Sequence, residues 1–261
     1  MEVLFGEKLI DYSYRSTPRT ELRGRVYTAT EYHPSEIIPQ HNENSYTNKW
    51  AMRIGFFCLL PAVEGGETPI ADSRLVYQNI DPAIREEFVQ RKIMYVRNYG
   101  DIDLPWQEVF QSDDKNRVEE YCTANDIQFE WLDDGGLRTR QIRPAIAKHP
   151  RTGEPVWFNQ AHLFHVSNLD PAVQESLLAV TDESGLPRNT YFADGGAIPT
   201  AMLDHIRQVY DARQMVFPWK AQDVLLLDNM LFSHGRKAFD GQRKVLVGMA
   251  CPYLPPQQSE G

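Results

Sequence analysis

Two residues that can bind a metal lie two positions apart, His41 and Glu43, in the segment Gln40-His41-Asn42-Glu43-Asn44-Ser45-Tyr46. In an extended strand, residues i and i+2 point to the same face. A short strand here would present an imidazole nitrogen and a carboxylate oxygen side by side. A second histidine brought in by the fold, His234, would complete a set of two imidazoles and one carboxylate. That facial triad leaves open positions on the metal and is the donor set of non-haem Fe(II) oxygenases. His-x-Glu tripeptides are common by chance, so the rest of the chain has to carry the case.

The triad needs strands to hold it. Arg25 to Glu31 alternates and is β-branched, which predicts a strand. Pro34 and Pro39 bracket a loop leading into His41. Residues 50–60 form a strongly apolar strand ending at Pro61. The pair Gly65-Gly66 then marks a turn with special backbone angles, and Thr68 opens the next strand. Helical spacing runs over 74–92, with Asp81-Pro82 as cap and first turn. The charged stretch from Asp113 predicts a helix with a solvated face. Residues 128–160 read as consecutive strands joined by the turns Asp133–Gly136 and Pro150–Gly153. Asp170-Pro171 starts one helix, and Pro199 or Thr200 starts another that runs to about Arg213. Val224 to Asp228 and Lys244 to Met249 are expected as buried strands, with His234 between them. Strands at both ends and helices between predict a mainly β fold, a double-stranded β-helix or jelly roll, with the two ends pairing in one barrel. No repeat or linker divides the chain. The expectation is a single domain over 1–261, with 1–24 as an N-terminal arm and 254–261 as a flexible tail.

Composition sets outer bounds. With 261 residues, 42% of them hydrophobic, the chain can bury a sizeable core. A net charge of −9 argues against nucleic acid, which needs clustered cations. The three cysteines, Cys58, Cys122 and Cys251, show neither a disulfide framework nor zinc spacing. The first residues are too short and acidic for a signal peptide, and no apolar run is long enough to span a membrane. A reducing cytoplasm is the expected compartment.

A three-ligand metal leaves room for a chelating 2-oxo acid and dioxygen. The far carboxylate of such a co-substrate would need a cation and a hydroxyl donor. Thr68 and Arg243 are of the needed types, with Lys244 a rival, because a one-residue slip would turn Arg243 outward.

These motifs together, His41-x-Glu43, Gly65-Gly66-Glu67-Thr68, His149-Pro150-x-Thr152-Gly153, Asp228-Asn229, His234-Gly235-Arg236 and Arg243, resemble the taurine dioxygenase (TauD/TfdA) superfamily of Fe(II)/2-oxoglutarate-dependent oxygenases. The resemblance covers about residues 14 to 253 and is nearer to the SyrP-like branch. It implies that His41, Glu43 and His234 bind Fe(II), that Thr68 and Arg243 hold the C5 carboxylate of 2-oxoglutarate, and that O2 is the oxidant. Members of that branch modify amino acids in natural-product pathways, often on a peptidyl-carrier domain. The implied reaction is hydroxylation of an unactivated C–H bond of such a substrate. Epoxidation or desaturation at the same metal, and a non-catalytic jelly-roll binding module, are the alternatives. Glu43 argues against halogenation, because the related halogenases lack the carboxylate. Arg15, Arg19, Ser45, Tyr46, Asn159 and Gln160 are the candidate substrate contacts. Relatives usually carry a longer N-terminal segment, so a trimmed N-terminus is also expected.

Overall fold

The computed structural model describes residues 1–11, 20–29, 32–100 and 102–255. Arg15 and Arg19 lie outside the described residues, as does the expected tail from 256 onward. The described residues divide into two compact units. One takes the chain up to Leu75 and resumes at Arg213; the other is the stretch between them.

In the first unit, five antiparallel strands form a sheet in the order Glu21–Arg23, Val26–Thr28, Lys244–Tyr253, Trp50–Leu60, Val224–Asp228. A second sheet has the order Ile38–His41, Phe232–Arg236, Ile70–Asp72. Both sheets mix strands from the two ends of the chain, the pairing expected of a double-stranded β-helix. Trp50–Leu60 and Lys244–Tyr253 share a ladder almost along their whole length. Both are central, which explains their near-continuous apolar character. Their inner residues Ile54, Phe56, Cys58, Val245, Val247 and Met249 pack into one core cluster with Tyr27, Trp219 and Leu227.

On the opposite face, Gly55 stands directly across from Gly248. An added Cβ at Gly55 would lie 2.7 Å from the Phe5 ring, and one at Gly248 would lie 3.3 Å from Leu9. The missing side chains let the N-terminal residues lie against bare backbone, where Phe5 and Leu9 are buried with Ala250. The start of the expected arm is therefore packed.

Val224–Asp228 differs from the expectation of a buried strand. It is an edge strand, and Val224 and Leu226 are 45% and 44% exposed. Its apolar run alone could not separate a central strand from an edge one. The strand expected to open at Thr68 begins two residues later, at Ile70.

The second unit holds a sheet in the order Arg188–Phe192, Ile93–Tyr99, Leu137–Arg143, Gln128–Trp131, and a hairpin of Ile146–Lys148 with Pro155–Trp157. Burial alternates along Ile93–Tyr99, as a half-buried strand requires. Phe88 packs edge-on to Trp157 and Phe192, with ring centroids 5.5 and 5.3 Å away. Asp81 and Asp170 cap the helices Pro82–Arg91 and Pro171–Val180, each accepting a backbone N–H at the second helical position with proline at the first. The final helix of this stretch is Thr200–Arg213. Asp103 accepts from Arg97 and Arg188 at 2.7 and 3.0 Å. Burial pushes its carboxyl up, but Arg188 and Arg97 outweigh that and hold it below the usual carboxylate range. Arg143 donates to the carbonyls of Asn125 and Ile142. Among the described residues no helix is long and apolar enough to cross a membrane.

Ile54 is fully buried at the centre of the first unit's core. Ile54→Ala should cost about 2–5 kcal/mol through lost burial and the cavity left behind. A fall in the urea midpoint with an unchanged slope is the expected readout.

Candidate metal centre

Strand pairing brings the two histidines together. His234 is the register partner of His41 on one side and of Ile70 on the other. Directly opposed residues share a face and sit close, and the two rings lie 4.5 Å apart between centroids. Gly235 makes this approach possible, because a Cβ there would stand 2.7 Å from the Ile38 carbonyl oxygen. Phe56 packs edge-on to His234 at 5.0 Å.

Glu43 is placed by a different device. The strand ends at His41, so the i, i+2 rule that suggested the pair does not by itself carry Glu43 to the site. The side chain of Asn229 does. Its Oδ1 accepts from the Glu43 backbone N–H at 2.8 Å, and its Nδ2 donates to the Glu43 and Ala51 carbonyls at 2.9 and 2.8 Å. One fully buried amide thus stands in for a strand partner at a turn. Asn42 returns the interaction, donating from Nδ2 to the Asn229 carbonyl at 2.7 Å and to Ser73 Oγ at 3.0 Å. Asn44 then turns the chain in the left-handed region at φ 58°. The Asp228-Asn229 dipeptide was visible in the sequence, but only a long-range contact shows what Asn229 holds.

The outcome is a cluster in which one ligand atom each from His41, Glu43 and His234 lies within 4.8 Å of the others. Glu43 and His234 are buried, with His234 Nε2 3.9 Å from Glu43 Oε2. His41 Nδ1 pairs with the Pro39 carbonyl at 2.9 Å, which makes that nitrogen the protonated one and leaves Nε2 as the ligand atom. Two imidazoles and a carboxylate of this kind suit a first-row ion such as Fe(II).

Beside His41 and His234 lies a small cavity of about 30 Å³, lined also by Phe56, Thr68, Arg236 and Arg243. Arg243 donates from Nε to the Gly66 carbonyl at 2.8 Å and from Nη2 to Thr68 Oγ1 at 3.4 Å. Gly66, at φ 71°, leaves room for that stem, since a Cβ would meet Arg243 Cδ at 2.8 Å. Burial, then the neighbouring Arg236, push the Arg243 guanidinium down to about 10, so it stays charged at neutral pH. Lys244, the rival cation, is exposed. Arg236 donates to the carbonyls of Tyr32, His33 and Glu36 and so ties down the loop that enters the His41 strand.

Of the other expected site residues, Ser45 and Tyr46 are buried in the turn that follows Glu43. Asn159 and Gln160 belong to the second unit. The amide of Asn159 bridges local backbone, donating to the Ala145 carbonyl and accepting from Ala161 N–H. The Gln160 backbone N–H donates to the Tyr95 hydroxyl at 2.9 Å.

The sequence matches the family described as taurine catabolism dioxygenase TauD, TfdA over residues 3–250. It is 44% identical over 253 residues to the dapdiamide synthesis protein DdaC of Enterobacter agglomerans, covering 97% of this chain and 77% of that protein. It is 31% identical over 258 residues to a clavaminate synthase-like protein of Arabidopsis thaliana, covering 94% of this chain and 74% of that protein. A solved structure of asparagine oxygenase in complex with Fe(II), 3-hydroxyasparagine and succinate superposes with a TM-score of 0.51 at 12% identity. That likeness covers 87% of this chain and 56% of the longer one, and it shows a shared fold.

Asn229→Ala would strand the buried Glu43 N–H and two carbonyls. The expected loss is about 1–3 kcal/mol or more of stability. Fe(II) affinity should fall roughly 10–100-fold. Thermal melting and anaerobic Fe(II) titration check the two effects separately.

Proposed function

The chain belongs to the TauD, TfdA family of dioxygenases, and from that premise we propose that it uses Fe(II) and 2-oxoglutarate to hydroxylate an unactivated C–H bond of an amino acid or amino-acid-derived substrate in natural-product biosynthesis. The observation that carries the reading is the convergence of His41, Glu43 and His234 beside a cavity lined by Thr68 and Arg243. The 44% identity to a dapdiamide synthesis protein supports the natural-product context and an amino-acid-like substrate.

In this reading His41, Glu43 and His234 hold the iron. When bound, iron with 2-oxoglutarate supplies the oxidising power from O2, the 2-oxo acid leaving as succinate and carbon dioxide. The remaining tasks fall to the polypeptide. The Pro39 carbonyl fixes the His41 tautomer, and Asn229 sets the reach of Glu43. Arg243 and Thr68 fix the far carboxylate of the co-substrate and so orient its chelating end. Phe56 shields His234 and helps keep the site dry. Ser45 and Tyr46, two and three residues beyond Glu43, are the nearest candidates in sequence for contacts to the reacting end of the substrate. From the sequence, Asn159, Gln160, Arg15 and Arg19 complete the proposed set. No side-chain base is needed to break the C–H bond, so the chain's contribution is position and exclusion of water.

Succinate release should depend on Fe(II), 2-oxoglutarate and O2, and should rise above its uncoupled rate with one member of a panel of amino acids, presented free and loaded on a peptidyl-carrier domain. Mass spectrometry should find one added oxygen, with NMR placing a hydroxyl on a saturated carbon; loss of two hydrogens would point to desaturation. His41→Ala should abolish release and the visible band that anaerobic Fe(II) and 2-oxoglutarate give with the wild type. A band that survives His41→Ala would refute the metal assignment.

A further inference from the structure

Thr68 is 2% exposed and lines the cavity beside His234. Its Oγ1 receives two donors, Trp219 Nε1 at 3.0 Å and Arg243 Nη2 at 3.4 Å. An indole N–H and a guanidinium can only donate. A hydroxyl offers two lone pairs and one proton. Both lone pairs are taken here, so the Thr68 proton has to be given to a third partner, which must be an acceptor.

We propose that Trp219 is a positioning residue for the co-substrate: by occupying one lone pair of Thr68 it commits that hydroxyl to donating, and so selects for a 2-oxo acid with a second carboxylate. The assignment rests on the co-substrate reading of the cavity given above. Trp219 comes from a segment far from Thr68 in sequence, beside Phe217, whose ring lies 5.9 Å away. It belongs to the barrel core with Phe56, Val245 and Val247. A buried tryptophan needs a partner for its N–H; this one finds it on the anion-facing hydroxyl, not on a backbone carbonyl. Arg243 spends Nε on Gly66 and one Nη2 hydrogen on Thr68, leaving guanidinium hydrogens for the same ligand. Two donors, one charged and one neutral, are thereby fixed before any ligand arrives. An acid whose far end is apolar would leave the Thr68 proton and the guanidinium unanswered, at the cost of a buried unmade hydrogen bond.

The test uses anaerobic Fe(II)-loaded protein and calorimetric titration with two ligands. One is 2-oxoglutarate; the other is 2-oxopentanoate, which keeps the chelating end and lacks the far carboxylate. Trp219→Phe should weaken 2-oxoglutarate roughly 3–10-fold and leave 2-oxopentanoate unchanged. Added to Thr68→Val, it should produce no further loss, since it acts through that hydroxyl. If the phenylalanine variant does not fold by circular dichroism, benzothienylalanine at position 219 removes the N–H while keeping the shape, and the same comparison applies. Equal weakening of both ligands, an unchanged 2-oxoglutarate affinity, or additivity with Thr68→Val would overturn the role of Trp219. A wild type that binds no 2-oxoglutarate would instead overturn the co-substrate reading, and this assignment with it.

Discussion

The antiparallel pairing of Phe232–Arg236 with Ile38–His41 is the constraint on which the site depends. It sets His234 opposite His41, so the spacing of the two imidazoles is a property of the ladder and not of flexible side chains. A slip of one residue would turn either ring to the other face and dissolve the cluster. Gly235 protects the register from the inside, because only a residue without a side chain lets the two backbones come so close there. The neighbouring pairing with Ile70–Asp72 holds the same strand from its other edge.

Beyond the ladder, the site is built by side chains that behave as backbone. Asn229 offers a donor and an acceptor in one rigid plane and uses both to place Glu43 past the end of a strand. Arg236 does similar work on the approach to His41, gathering three carbonyls of one loop. In a buried setting such bonds matter chiefly for what their loss would expose, since an unpaired buried group costs more than a made bond contributes. The metal cluster is thus flanked by buried amide and guanidinium groups whose partners come from distant parts of the chain.

The cavity shows how core packing and recognition can share atoms. Trp219 is a barrel-core residue, yet its one polar atom ends on Thr68. Arg243 is held by Gly66 and stays charged although burial and Arg236 both work against it. A carboxylate bound beside that cation would offset the cost of its burial.

Much of this was legible in the sequence, because it depends on residue type and local pattern. The two long apolar strands and the helix caps at Asp81 and Asp170 follow from side-chain chemistry and short-range periodicity, while the set His41, Glu43, His234, Thr68 and Arg243 is what the family resemblance adds to residue types that suit those tasks. What the tertiary structure alone decided is which groups meet. Periodicity accounted for Glu43 by a strand that in fact ends at His41; the amide of Asn229, 186 residues away, does the placing. Val224–Asp228 is as apolar as a central strand but lies at an edge. The amide of Asn159 bridges the Ala145 carbonyl and the Ala161 N–H, a pairing no local pattern announces. Local sequence encodes what a residue can do, while its partner is fixed only when the chain closes and buried polar groups must all find one another.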